Sequence, residues 1–453
     1  MLNYMDIENF KAWRKADISF GKITGFFGSN SAGKSSLLQL LLLLKQTRNA
    51  TDRKVVLDFH SSGSAITLGS FADVVHDHNP DSRIKWTLDW NLPKPLTILD
   101  PMSPSEQPLF TGDRLSTQCE VGLRLRRLWP YYLAYKFNDT EFRIHPWERS
   151  GRKFKLDTNS KTFRFKRTQG RPWPLPHPVK TYLFPGQVRN YYQNSVFLGD
   201  FELEYEKLMD ALYYLGPLRE YPKREYHWAG SSPEDVGHRG ERTIDAILAA
   251  TRDEEMRTLG YRKRRKTFQE MIAHWLKELD LINEFRIEEI AKGTNLYQAM
   301  VTTRGTRTVT TLTDVGFGVS QILPVLVLLY YVPEGATVLM EQPEIHLHPA
   351  VQSGLADVML NVAKVRNVQI LVESHSEHLM RRLQRRVAEG RATAEDIKLY
   401  FVNFRRGRAH VSNLELNEWG AIENWPDKFF GDEMGEIAAI TKASLTRQIR
   451  QSE

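Results

Sequence analysis

The sequence predicts an α/β fold: one parallel sheet assembled from both ends of the chain, with a central β-rich and helical insertion. Three observations predict it. Residues 18–46 read strand, glycine-rich loop, helix. Residues 322–389 return to an apolar helix, two short apolar strands and a further helix. Between them lies a segment of different character, rich in Arg, Lys and aromatic residues.

With 453 residues the chain exceeds what one ordinary core holds, so two or three lobes are expected. We divide it into residues 1–93, the first part of the sheet lobe; 94–200, a basic aromatic β-rich insertion; 201–300, a helical lobe; and 301–453, the second part of the sheet lobe. Hydrophobic residues make up 41% and charged residues 26%, an ordinary globular balance that excludes a disordered chain. The most apolar helical run, Leu37 to Leu44, is too short to span a bilayer, and the N-terminus lacks the basic-then-apolar pattern of a signal peptide. No membrane partner is expected. Cys119 is the only cysteine, which excludes an internal disulfide and a cysteine-rich zinc site and fits a cytoplasmic protein.

Ile18 to Phe20 and Ile23 to Phe27 are short β-prone runs bounded by Gly21 and Gly28, and Ser35 to Gln46 has the composition of a buried helix. Residues 64–76 read as a strand and turn. Ile84, Trp86, Leu88 and Trp90 alternate with polar residues, the period of a half-buried strand. Residues 94–113, with frequent Pro and Ser, read as a loop. Strand-like alternation returns over 120–168, with Phe163 and Phe165 opposite Arg164 and Lys166 on one strand. Helices are expected near 200–213, 241–252, 262–280 and 376–389, and strands at 337–340 and 368–373. No solenoid repeat is visible.

The net charge of +7 is unevenly spread. Residues 124–171 hold 14 Lys and Arg against 4 Asp and Glu, so the remainder is net acidic. Basic groups interleaved with Trp129, Tyr131, Tyr132, Tyr135, Phe137, Trp147, Phe154, Phe163 and Phe165 fit nucleic acid, whose phosphates and bases such a surface could track and stack. They fit equally a small β-lobe with an aromatic core and a solvated basic face, or a dock for an acidic protein. Arg262 to Lys266 reads as a solvated helix start.

Gly28-Ser-Asn30-Ser31-Ala-Gly33-Lys34-Ser35 matches G-x4-G-K-[ST]. The glycines let successive N–H groups point inward at phosphate, and the helix that begins there adds its positive end. Asn30, Ser31, Gly33, Lys34, Ser35 and Ser36 are the expected phosphate-binding residues, with the Ser35 hydroxyl placed for Mg²⁺. Because a strand precedes this loop and a helix follows, a chance glycine turn is the poorer explanation. The second half supplies acid. Thr337 to Glu341 is an apolar strand ending in a carboxylate suited to Mg²⁺, and Glu344 follows within reach of an attacking water. Gly316, Gly318 and Ser320 open the apolar helix as a second anion-binding start or, alternatively, as an ordinary cap with Ser320 as N-cap. His375 follows the next strand, where it is either structural or a sensor of the terminal phosphate. His346 and His348 lack a clear third ligand for a zinc site.

These pieces together resemble the ABC-type ATPase heads of the SMC/Rad50 and OLD group, and more narrowly the bacterial AAA-family ATPases with a DUF3696-type C-terminus. The likeness rests on Ile7-Glu-Asn-Phe10-Lys, the P-loop, Tyr214-Leu-Gly-Pro217-Leu-Arg219, Glu341 to Pro349, Glu373 to His378 and Asn424 to Phe430. The resemblance implies an ABC-type head that binds ATP and Mg²⁺. It assigns Glu341 to the Walker B acid, Ser320 to the partner subunit's terminal phosphate and His375 to the switch histidine. It implies a homodimer closed around two nucleotides, controlling a separate effector such as a nuclease or toxin, as in anti-phage defence. Two departures stand out. Gln342 occupies the position of the usual catalytic glutamate, so hydrolysis is expected to be slow or to rest on Glu344. No heptad run supplies a coiled-coil arm. Asp73 is the one candidate for the role of the absent Q-loop glutamine.

Overall fold

The computed structural model describes the chain except residues 61–62, 100–107, 148–151, 169, 171–172, 306, 406 and 427–453. It opens with strands β1 (Leu2–Phe10), β2 (Trp13–Ser19) and β3 (Ile23–Gly28), then helix α1 (Lys34–Asn49). A short helix α2 (Phe71–Val74) precedes β4 (Ile84–Leu99), β5 (Pro108–Arg124), β6 (Arg127–Phe137), β7 (Thr140–Pro146) and β8 (Phe154–Thr158). Next come α3 (Gln187–Tyr191), α4 (Leu198–Asp210), β9 (Leu212–Leu215), β10 (Tyr226–His227), α5 (Thr243–Arg252), β11 (Met256–Arg257), β12 (Lys266–Thr267) and α6 (Phe268–Glu278). The chain continues through β13 (Ile282–Glu289), β14 (Leu296–Thr303), β15 (Val309–Thr311), α7 (Phe317–Tyr331), β16 (Thr337–Glu341), α8 (Pro349–Val365), β17 (Gln369–Glu373), α9 (Glu377–Ala388), β18 (Ile397–Arg405) and β19 (Arg408–Leu414).

The central sheet has the order β19-β18-β3-β17-β16-β9, parallel except for the edge strand β19. It joins the two ends of the chain, as the motifs require, and adds one strand from the middle, β9, where the sequence reads helix through residue 213. Its inner strands are buried on both faces, which is why they read as unbroken apolar runs. Alternate residues feed two cores. Phe26, Leu339 and Leu371 join α1, α4 and the N-terminal strands. Phe27, Val338, Met340, Ile370 and Val372 join α5 through α9. Arg366, after α8, donates to the carbonyls of Leu329 (3.1 Å), Tyr330 (2.6 Å) and Val332 (2.7 Å), satisfying acceptors that the end of α7 leaves open.

A second, antiparallel sheet runs β2-β1-β4-β5-β6-β7-β8. Here the local readings change in three places. Residues 94–113 are not one loop: β4 and β5 extend into them, pairing Leu96 with Gly112 and Ile98 with Phe110. Pro93 and Pro95 fall in the register break between Asn91 and Leu96, where a missing N–H costs no ladder bond. Residues 64–76 hold no strand. The Asp73 carboxylate accepts from both the backbone N–H and the hydroxyl of Ser70, and that box starts α2 instead. Phe163 is buried and Arg164 exposed as the alternation predicts, but no strand pairs with them. The Asn194 side chain takes that place, accepting from Lys166 N at 2.8 Å and donating to Arg164 O at 2.9 Å.

Candidate nucleotide site

The phosphate loop leaves β3 at Gly28, whose φ of 133° and whose contact with β18 both demand glycine: a Cβ there would lie 1.9 Å from Val402 O. Gly33, at φ 101°, turns the chain into α1, and Trp13 Nε1 holds its carbonyl at 3.0 Å. Asn30 and Ser31 form the exposed rim, Ser31 at φ 59°. Lys34 is buried and folds back over the loop, donating to Ser29 O (2.7 Å) and Gly28 O (3.2 Å). The Ser36 hydroxyl donates to Gly33 O at 2.9 Å, bracing the loop rather than reaching outward.

Strand register delivers the acids. Glu341 is the partner of Glu373 across β16 and β17, and Glu373 is the partner of Phe26 across β17 and β3. Three parallel strands therefore place their C-terminal ends side by side, with Glu373 between the loop and Glu341. Glu373 Oε1 stands 4.0 Å from Lys34 Nζ, and Ser35 beside the carboxylate favours its charged form. Glu341 accepts from the Tyr214 hydroxyl at 3.0 Å. Glu344 Oε1 accepts from the His375 backbone N–H at 2.7 Å. Gln342 holds a left-handed backbone (φ 45°), its N–H donating to Glu373 O at 2.8 Å.

Burial dominates the electrostatics. It pushes Glu341 up to about 7, reinforced by the charge of Glu373 and opposed by Tyr214, Arg219 and Lys11. Burial raises Glu344 and Glu373 as well. It lowers Lys34 despite the attraction of Glu373 and Glu344. Burial and the neighbouring Lys34 lower His375, leaving a neutral imidazole that a bond to the Gly28 backbone only partly offsets.

Four of the expected residues, Lys34, Ser35, Glu344 and His375, thus meet, with Glu341 two strands from the loop. Glu373 was missed from the sequence. The signal was available: residues 369–373, like 337–341, are an apolar strand ending in acid. Ser320 lies apart. Gly316, not Ser320, caps α7, and the Ser320 hydroxyl donates to Phe317 O at 2.8 Å in a cleft with Glu220 and Tyr221. His348 Nδ1 accepts from Ala350 N to cap α8, and His346 packs edge-on against Phe317, so both have structural work without a metal. Asp73 is spent on capping α2.

The residues present fit a magnesium–nucleoside triphosphate. Buried Glu344 Oε2 and Glu373 Oε2 lack hydrogen-bond partners, beside a lysine, a serine hydroxyl and a glycine cradle. Among the described residues no set of three or more His, Cys, Asp and Glu could hold a metal alone. Mg²⁺ in such sites needs only one or two protein groups, since phosphate and water complete its shell.

Four cations on or beside the antiparallel sheet meet acids of that sheet, but only Arg143 among them belongs to the basic run 124–171. Lys85 meets Glu8 (3.6 Å), Arg83 meets Glu120 (2.6 Å), Arg114 meets Asp89 (2.9 Å) and Arg143 meets Glu141 (3.1 Å). Many of the basic insertion's aromatics face inward, where Phe142 packs against Phe110, Phe163, Phe165, Phe197 and Phe201; Trp147 and Trp173 remain exposed and Trp129, Tyr131 and Tyr132 half-buried. Arg262 to Arg265 are solvated loop residues before α6. At the C-terminus, Asn424 bridges Glu415 N and Asn413 O, each at 2.8 Å. The rest of the expected C-terminal motif, residues 427–430, lies outside the described residues.

A glycine loop with its lysine, opposed by strand-end carboxylates on adjacent parallel strands, defines a P-loop ATPase. Comparison with known families narrows this. Residues 1–171 match the AAA ATPase domain AAA_15. Residues 196–381 match the AAA domain AAA_21, whose description names the AbiEii toxin and a type IV TA (toxin–antitoxin) system. Residues 393–440 match DUF3696, a family of unknown function. Two AAA ATPase domain matches and a DUF3696 match thus account for most of the chain and support the ABC-type, SMC/Rad50/OLD-like resemblance. No curated protein matches the chain. Among solved structures it is similar to an SMC head bound to the C-winged helix domain of ScpA: 12% identity, 92% of this chain and 98% of that one, TM-score 0.49. It is similar also to the SMC head domain from Thermotoga maritima (11%, 91% and 99%, 0.42). A third is an SMC head with an extended coiled coil, bound to the C-terminal domain of ScpA derived from Pyrococcus furiosus (12%, 92% and 96%, 0.45). No helix among the described residues is long and apolar enough to cross a membrane.

Proposed function

We propose that this ATPase binds Mg-ATP, closes as a homodimer around two nucleotides and uses that closure to control a separate effector protein in anti-phage defence. One observation carries the nucleotide chemistry: Lys34, Ser35, Glu373, Glu344 and His375 converge at the C-terminal ends of adjacent strands, with Glu341 alongside. Lys34 is then the phosphate-binding cation, and Ser35 and Glu341 the groups that hold Mg²⁺. Bound there, Mg²⁺ would neutralise charge on the phosphates. Glu344, anchored by the His375 N–H and retaining one unpartnered oxygen, is placed to orient and deprotonate the attacking water. His375, kept neutral by burial and Lys34, is suited to a hydrogen bond with the terminal phosphate. Ser320, outside this cluster, is left to act on the partner subunit's nucleotide. The type IV TA system named in the description of one matched family fits a role beside a second protein.

Phosphate release from Mg-ATP, measured for wild type and Lys34→Ala across protein concentrations, tests this. Turnover per subunit should rise with concentration and vanish in the variant. Concentration-independent turnover would remove the shared dimeric site. A second reading is an ATP-held scaffold with little hydrolysis, favoured by Gln342, which orients water but accepts no proton. Tight ATP binding without phosphate release would select it.

A further inference from the structure

Arg219 has no role in the chemistry described so far. The chain leaves β9 at Leu215, the partner of Met340 on β16, so the residues that follow run beside the strand end carrying Glu341. There the Arg219 side chain is buried, 7% exposed, and its Nε, Nη1 and Nη2 all lack a hydrogen-bond partner. Burial lowers its pKa to about 10, partly offset by Tyr214, Glu344 and Glu341, so the group stays charged. Neither carboxylate closes to an ion pair with it. Glu344 also attracts Lys34. Both cations therefore act on one carboxylate, whose Oε2 is itself unpartnered.

A buried guanidinium with every donor unmatched is among the costliest arrangements a fold can carry. Its planar fork suits the paired oxygens of phosphate, and it is the side chain that most often stabilises a transferring phosphoryl group. A nucleotide phosphate placing acceptor oxygens toward Arg219, and an attacking water toward Glu344 Oε2, satisfies both sets of orphaned atoms together.

We propose that Arg219 is a phosphate-contacting residue of the nucleotide site, gripping the terminal phosphate together with Lys34. The assignment rests on the ATPase reading above. It is tested with the full chain as wild type, Arg219→Met and Arg219→Lys, by comparing affinity for Mg-ADP with affinity for Mg-ATPγS and by steady-state turnover. Arg219→Met should weaken ATPγS binding by about tenfold or more while leaving ADP binding within about twofold, as expected for losing a charge-assisted bond to the terminal phosphate alone. Its kcat should fall by about 10²–10³ with a small change in KM, and Arg219→Lys should fall between. An unchanged ATPγS-to-ADP ratio in Arg219→Met overturns the assignment and leaves Arg219 as an internal counter-ion of Glu344; so does an equal loss of both affinities in a folded variant. Should Arg219→Met not fold, the same ratio in Arg219→Lys decides. A wild type that binds neither nucleotide overturns the ATPase reading, and this assignment with it.

Discussion

Gln342 sits where a proton acceptor is expected, and its backbone explains why its neighbours matter more than its side chain. With φ at 45° and its N–H tied to Glu373 O, it turns the chain sharply after β16 and swings Glu344 back toward His375. Glu344 and Gln342 therefore make distinct claims on catalysis. If Glu344 is the base, Glu344→Gln abolishes phosphate release, and Gln342→Glu changes it little because a half-buried fourth carboxylate joins Glu341, Glu344 and Glu373. If the chain is a scaffold that lost its base, Gln342→Glu raises turnover by about 10². We expect the first pattern, and single-turnover phosphate release by the two variants checks it. The motif residues at this scale were legible because a P-loop and a strand-end acid are local. Glu373 ends an apolar strand as Glu341 does, yet its place between loop and acid is set by register, and the significance of Arg219 lies in burial, which no window of sequence displays.

At the scale of elements, strands and helices with a strong period were legible and irregular segments were not. The apolar runs at 337–341 and 369–373 are strands, and α4, α5 and α9 lie within a few residues of the expected spans, whereas α6 begins at Phe268, after a loop and the short β12 where the sequence reads a helix start at Arg262. Side chains that replace backbone partners defeated the pattern elsewhere: Asn194 beside Arg164 and Lys166, and Asp73 on Ser70. Glu202 on α4 is another such device, accepting from Phe184 N at 2.7 Å and from Arg189 at 3.0 Å. Burial outweighs both bonds and raises its pKa to about 7. A carboxyl raised above its unfolded value favours the fold when protonated, so its contribution is present in acid and lost as pH climbs through about 7. Glu202→Gln keeps an acceptor for Phe184 without the charge. Its melting temperature relative to wild type should therefore rise between pH 5.5 and pH 8.5, and thermal scans at both ends would show it; a difference independent of pH would contradict the assignment.

For the whole molecule, the excess positive charge sits in residues 124–171, where 14 Lys and Arg outnumber 4 Asp and Glu, so pairing inside the segment leaves most of it uncancelled. Arg143 spends its charge on Glu141 and Asp157, while the ring cluster around Phe142 is internal and not free to stack on bases. Binding to single-stranded DNA or RNA should therefore be electrostatic and strongly salt-dependent, with little preference among bases. Salt-titrated binding checks this: no binding at low salt, or a slope unchanged by charge reversal within 124–171, would remove nucleic acid as a direct ligand. The division into residues 1–93, 94–200, 201–300 and 301–453 stands as a proposal for limited proteolysis to examine. In the structure, strands from the first two of those segments share one antiparallel sheet.

By itself the sequence determined that a phosphate loop opens a helix near the N-terminus, that an acid ends an apolar strand near residue 341, and that both belong to one α/β sheet. Each follows from a short run of residues whose conformational and chemical demands are local. Only the tertiary structure decided that Glu373 stands between loop and acid, that Arg219 is buried without a partner, that β9 joins the sheet and that the ring cluster around Phe142 is internal. These depend on pairings between residues more than a hundred positions apart or on cross-strand register, and on the loss of water around charges. Burial, register and desolvation belong to the packed chain.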